Sequence, residues 1–315
     1  MAVSTSKLCA IAFLGLLALA GCASGGGSEK LAIWTQELAA TQLHHPEIIV
    51  FQRGTQRLVF IGVHHDADPS SPTHQLIAST LDLIPTQVVI VEGAPTSWQY
   101  NPPRLLEIAN ERPDANGLLP SGETNPTVQG ALKAGSKLLG GEPQDADVHR
   151  IAADLGVTDE DLLGFYVLRV VPQWVSQKEF DDLESAKASE LIDDMLDLSR
   201  QELSLGPELL QDAGAWRRWR LSRNPQANPK MVDIEEAGPL VDGPWPTSRI
   251  AASISRARAT HLYELTKAQL AQQGSVAVVF GASHALIQYP ALTALLGKPC
   301  YRGTLPADAK RLCST

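Results

Sequence analysis

Apolar residues along the chain fall into distinct periodicities. Continuous apolar runs at residues 87–91 and 275–280 mark strands buried on both faces. The β-rich runs 47–52 and 57–62, joined by Arg53-Gly54-Thr55-Gln56, predict a hairpin. Helical spacing predicts helices over 31–43, 72–84, 103–110, 127–133, 248–273 and 285–296, and almost continuously over 146–220. Ser70 or Ser71 suits the N-cap of the second of these, with Pro72 near its first position. Residues 136–139 form a weak strand candidate, 299–301 a final short strand, and 224–246 a loop rich in Pro, Gly and Asn. Strands alternate with helices at both ends of the chain. The pattern predicts an α/β fold: a mostly parallel sheet flanked by helices, with a helical insertion over about 146–225, all in one domain spanning 32–315.

The first residues read differently. Lys7 precedes an apolar run over 8–20, too short for a permanent membrane span but suited to a signal-peptide core. The run ends in Leu19-Ala20-Gly21-Cys22, which resembles the signal box of bacterial lipoproteins. That resemblance implies a signal peptide over 1–21, removed on maturation, and an acyl chain such as palmitate on Cys22. Residues 22–31, rich in Gly and Ser, then read as a flexible tether. Ala23 is not Asp, which by the same resemblance implies the outer membrane, facing the periplasm or the cell surface. A plain secretory signal cut slightly later is the alternative.

Composition narrows the partners. The chain has 315 residues, 44% of them hydrophobic and 19% charged, enough for a substantial core. A net charge of -9 with no extended basic block argues against nucleic acid as a partner. Of four cysteines, Cys9 lies in the signal and Cys22 takes the lipid, leaving Cys300 and Cys313. Outside the cytoplasm such a pair is expected to oxidise, two free buried thiols being the other reading.

The candidate chemistry is positional. The runs ending near Gly62, Val91, Gly141 and Gly281 are followed or closed by His64-His65, Glu92, Glu142 and Ser283-His284. In a parallel sheet all strand C-termini share one edge, where α/β proteins bind ligands. Two imidazoles and two carboxylates can therefore converge. Each alone is also an ordinary cap or solvated loop residue. Successive strand residues face opposite sides, so His64 and His65 are assigned different surroundings.

Gly62-x-x-His65, Val91-Glu92-Gly93, Gly141-Glu142-Pro143 and Gly281-x-x-His284 together resemble the TraB/GumN/Tiki family. Its wider superfamily includes ChaN-like haem-uptake lipoproteins and erythromycin esterases. The resemblance spans about residues 46 to 296 and is thin across the helical middle. It implies a mixed sheet with flanking helices and a metal-dependent hydrolase acting on peptide or ester bonds. His65, His284 and Glu92 would hold a divalent transition metal, and Glu142 would be the general base. Arg256 and Arg258 both fit the family's Arg before the last strand. We favour Arg258 as the partner of a site carboxylate. The His65…His74 spacing is similar to ChaN-like members and makes His74 a candidate for cofactor binding. The alternative is accordingly a haem- or ligand-binding lipoprotein without turnover, with His65, His74 or Tyr166 facing iron. A metal-free esterase using His as base is a further alternative.

Trp216 and Trp219 share one helix face, with Arg217 and Arg220 beside it. That cluster reads either as a lipid-facing helix or as a helix burying two Trp.

Overall fold

The computed structural model describes residues 30–43, 45–176 and 178–313. The predicted signal segment, Cys22 and the tether as far as residue 29 lie outside these residues.

Strand β1 (Glu47–Arg53) turns at Gly54, whose φ of 57° suits a tight reversal, into the antiparallel β2 (Gln56–Val63). Strands β3 (Val88–Pro95), β4 (Lys137–Glu142) and β5 (Ser275–Gly281) run parallel to β2, and β6 (Tyr301–Gly303) pairs antiparallel with β1. The order is β4-β3-β5-β2-β1-β6. The sheet is thus mostly parallel, as the alternation of apolar runs predicts. Its four parallel strands all end on one edge.

Alternation along the strands divides the core. Phe60, Val88, Ile90, Val278 and Phe280 face one side of the sheet; Val59, Ile61, Val89, Ala277 and Val279 face the other. The helices in chain order are α1 (Gln36–Ala39), α2 (Pro72–Leu83), α3 (Pro103–Ile108), α4 (Thr124–Ala134), α5 (Asp145–Asp154), α6 (Asp159–Leu168), α7 (Val171–Ser176), α8 (Ala186–Leu203), α9 (Ala213–Arg223), α10 (Thr247–Gln273), α11 (Ala282–Leu296) and α12 (Pro306–Leu312). Helices α10 and α11 cover the first face; α2, α4 and α12 cover the second.

The insertion α5–α9 has its own apolar core around Tyr166, Leu163, Ile192 and Trp216. Helix α10 joins the two parts. Ile250, Ala251 and Ile254 pack into the insertion core, while Leu262, Tyr263 and Leu270 pack on the sheet. Trp216 donates to Gly164 O at 3.0 Å and Trp219 to Asp161 Oδ1 at 2.9 Å, both indoles buried. Arg220 is buried against Glu236, with Nη2 2.6 Å from Oε1. This helix is therefore a core element, and its aromatic-basic face is turned inward.

Several boundaries differ from the periodicity. Only Gln36–Ala39 of residues 31–43 is helical. Residues 31–34 instead lie along the molecule, with Ala32 N–H on Ile287 O at 2.9 Å. The weak strand at 136–139 is a full strand reaching Glu142. Helix α11 starts at Ala282, so His284 stands in its first turn rather than before it. Helix α12 carries no strong apolar period and is fixed by tertiary context: Cys313, just beyond it, is disulfide-bonded to Cys300, Cα atoms 5.6 Å apart. Closing this short loop contributes about 3 kcal/mol on the chain-entropy estimate.

Candidate active site at the carboxyl edge of the sheet

The four strand ends converge. A Cβ placed on Gly281, the last residue of β5, would lie 3.5 Å from His65 Nε2, 3.6 Å from Glu92 Oε2 and 3.9 Å from His284 Cδ2. His65 and His284 are therefore on the same edge, both beside a glycine whose missing side chain leaves room there. His65, Glu92, Arg258, Ser283 and His284 line one cavity of about 240 Å³. Phe165 and Arg169 of the insertion also line it.

The carboxylates are organised by Arg258, in the middle of α10. Its Nε donates to Glu142 Oε2 at 2.7 Å and its Nη2 to Glu142 Oε1 at 2.5 Å. The same Nη2 reaches Glu92 Oε1 at 2.7 Å. Glu92 Oε2 accepts from the Gly281 N–H at 2.6 Å, and Glu142 Oε1 from the Gly93 N–H at 3.3 Å. Arg256, the other candidate, instead donates to Leu31 O at 3.0 Å.

Burial pushes both carboxyls up. For Glu92 the facing His284, Arg258 and His65 outweigh that cost, and for Glu142 Arg258 does so. Both are held below the ordinary glutamate value. Burial opposes the Arg258 charge, but Glu142 and Glu92 raise its affinity for the proton beyond that of a free guanidinium.

The two imidazoles have opposite environments. His284 is buried, its ring edge-on to Phe280 at a centroid distance of 5.5 Å. Burial, reinforced by the Arg258 charge, lowers its pKa to about 4, so it is neutral near pH 7. Its Nε2 lies 3.9 Å from Glu92 Oε1, and its buried Nδ1 has no hydrogen-bond partner among the described residues. His65 has 66% of its side chain exposed towards the cavity mouth. Its Nδ1 is 2.5 Å from Glu123 Oε1. That hydrogen bond raises the His65 pKa above its ordinary value against the opposing effect of burial. Glu123 is pushed up by burial but held lower by its bond to His65. With Nδ1 committed as donor, His65 presents Nε2 as an acceptor towards Gly281 and Glu92.

Glu123 stands at the N-cap position of α4. The loop holding it is stitched to the loop after β2: Leu119 N–H donates to Ala67 O at 2.8 Å, and Asp66 N–H to Glu123 Oε2 at 3.4 Å. Nothing in the apolar pattern points to it, because it follows no strand and the periodicity starts the helix at residue 127. His261, on α10, is likewise absent from the strand-end motif. Its Nε2 is 2.8 Å from Thr96 Oγ1, which also hydrogen-bonds Gly140 O at 2.9 Å, and burial lowers its pKa.

The remaining predicted residues sit apart. His64 donates from Nε2 to Leu43 O at 3.0 Å, separated from His65 as strand alternation requires. His74 is buried with Nε2 2.9 Å from Asp66 O, bracing the loop that carries His65. Tyr166 donates to Asp145 Oδ1 at 2.9 Å beneath the Arg169 guanidinium, 3.9 Å from its ring.

The resemblance predicts a divalent ion on His65, His284 and Glu92. As arranged, the carboxylates already hold a different cation. Every oxygen of Glu92 and Glu142 accepts a hydrogen bond from Arg258 or a backbone N–H, so the cation at these carboxylates is the guanidinium. Among the described residues no three His, Cys, Asp or Glu are grouped to hold a metal ion. A carbonyl compound entering the cavity would instead meet an acceptor imidazole backed by a carboxylate, with a guanidinium and a neutral imidazole close by. No family model, curated protein or solved structure matches the chain.

Proposed function

We propose that this chain is a hydrolase of ester or peptide bonds that uses His65 as general base and is anchored to the outer membrane through Cys22. One observation carries the reading. His65 Nδ1 is fixed 2.5 Å from Glu123 Oε1, which leaves Nε2 free at the cavity beside Gly281. A base oriented by a partly buried carboxylate is the arrangement that general-base hydrolysis requires.

Water held at Nε2 would lose its proton to His65 as its oxygen attacks the substrate carbonyl. Glu123 stabilises the imidazolium that forms. Arg258 lines the same cavity, and its Nη1 lies outside the hydrogen bonds to Glu92 and Glu142. That nitrogen would be the donor to the developing oxyanion. Glu92 and Glu142 hold the guanidinium in position. The proton on His65 then passes to the leaving oxygen or nitrogen, which restores the neutral base. The haem-binding alternative has less support: the cavity is smaller than the ~300 Å³ at which pockets for drug-sized ligands begin, and His74 and Tyr166 are already hydrogen-bonded elsewhere.

The test is hydrolysis of a panel of nitrophenyl esters and chromogenic peptides by the wild type, His65→Gln and Glu123→Gln. His65→Gln should lose at least ~10²-fold in kcat. Wild-type rates in His65→Gln would refute the base assignment. Loss of activity on chelation, with recovery on adding a divalent metal, would replace it with the metal-dependent mechanism.

A further inference from the structure

A second, larger hollow adjoins the catalytic cavity. It has a volume of about 470 Å³ and is lined mainly by Ile33, Trp34, Leu155, Val241, Ala252 and Ile287. Pro239 and Ser255 line both this groove and the cavity of His65 and Arg258, so the two are separated by one shared wall. Helix α10 forms that wall: Ile254 and Arg258 serve the cavity, Ala252 and Ser253 the groove, and Ser255 both.

The groove is built and not a slack surface. Each side is pinned by hydrogen bonds: Ala32 N–H to Ile287 O at 2.9 Å, Val241 N–H to Trp34 O at 3.1 Å, Gln36 N–H to Asp242 Oδ1 at 2.9 Å, and Arg256 Nη1 to Leu31 O at 3.0 Å. The rigid frame nevertheless keeps apolar side chains in water. Ile33 is 61% exposed, Leu155 51% and Val241 37%. Concentrating exposed apolar surface around a preformed concavity is the mark of a binding site for an apolar group. Small residues at 252 and 253 leave its floor open.

We infer that the substrate carries an apolar arm, such as an acyl chain, that lies in the groove of Ile33, Leu155, Val241 and Ala252 while its scissile carbonyl sits by His65. The inference rests on the hydrolase reading and names its substrate class. An arm of a few carbons passing over the wall at Pro239 and Ser255 would reach from one hollow into the other. The Glu92, Glu123 and Glu142 carboxylates disfavour an anionic group at the reacting end, which leaves a neutral ester or amide.

The experiment compares nitrophenyl acetate, butyrate, hexanoate and octanoate on the full chain, beside calorimetric titration with octanamide, a neutral probe. In the wild type, kcat/KM should rise about two- to fourfold per added methylene. In Ala252→Trp, which fills the floor, the ratio of octanoate to acetate kcat/KM should fall at least tenfold. Ile33→Asp alters an exposed residue and should keep the fold; the same ratio should fall there too. A flat chain-length series, or wild-type ratios in both variants, overturns the groove and leaves the hydrolase reading intact. If no ester or peptide is cleaved, the hydrolase reading fails, and titration decides the groove alone. Octanamide binding lost in Ala252→Trp then retains it as an apolar-ligand site. No binding, or binding unchanged in both variants, removes it.

Discussion

Arg258 grips Glu142 through two nitrogens, Nε at 2.7 Å and Nη2 at 2.5 Å, and shares Nη2 with Glu92 at 2.7 Å. One cation thus neutralises two largely buried carboxylates from two different strands. Removing it leaves like charges facing each other with no counterion. Arg258→Met should cost about 3 kcal/mol in urea unfolding, and activity should fall with it. Combining it with Glu142→Leu should recover part of that stability, because the penalty lies in the unpaired carboxylate. A double variant no more stable than the single one would show that Arg258 acts chiefly through packing.

Gly281 supplies a separate probe of the site. An alanine methyl there would meet His65 Nε2 at 3.5 Å and Glu92 Oε2 at 3.6 Å, ordinary contact distances. Gly281→Ala should therefore fold with a stability change under about 1 kcal/mol. The methyl would still occupy the space between base and carboxylate. We expect kcat/KM to fall by at least about 10²-fold with an unchanged circular dichroism spectrum. Full activity in this variant would place the reaction elsewhere in the cavity.

The sheet and much of this site were legible in the chain because both follow from one rule. The apolar runs within 87–91 and 275–280 suit central parallel strands, whose ends share an edge. Glu92, Glu142, His284 and the His64-His65 pair are therefore found by position, and the family resemblance selects His65 from that pair. Alternation also separates His64 from His65. Glu123 was not legible, since its place depends on a loop after α3 folding back onto the loop after β2. That is a tertiary event with no periodic trace. The same holds for residues 31–34. Their apolar spacing suits a helix, but the backbone hydrogen bonds of Ala32 and Trp34 to distant segments win over local propensity. The bonds from Arg258 and two backbone N–H groups to both carboxylates also escape sequence, because a motif identifies donors and not the partners that occupy them.

His284 should set an acid limit to stability. In the fold it is buried and neutral with a pKa of about 4, against an ordinary value of 6.5. The unfolded chain takes up a proton below pH 6.5 that the folded one refuses until about pH 4. This contribution is therefore complete above pH 6.5 and lost as pH falls towards 4, amounting to about 3 kcal/mol. His284→Gln should flatten the wild-type decline over that window when unfolding free energies are measured at successive pH values. An identical decline in the variant would assign the acid sensitivity to other groups.

The His65–Glu123 bond predicts a distinctive pH–rate profile. The hydrogen bond raises the His65 pKa above 6.5, and the base works only when neutral. Wild-type kcat/KM should thus climb through that raised pKa and level off above it. Glu123→Gln removes the carboxylate that favours the imidazolium, so the pKa falls and the acid limb moves to lower pH. The plateau should fall as well, by about 10²-fold, since the imidazolium forming in the transition state loses its counterion. The ratio of wild type to variant should consequently be smallest on the acid limb, where the wild-type base is already protonated and the variant's is not. A carboxylate that only held the two loops together would lower the plateau and leave the limb in place. A limb that stays fixed while the rate drops would therefore assign Glu123 to structure and leave His65 without its orienting partner.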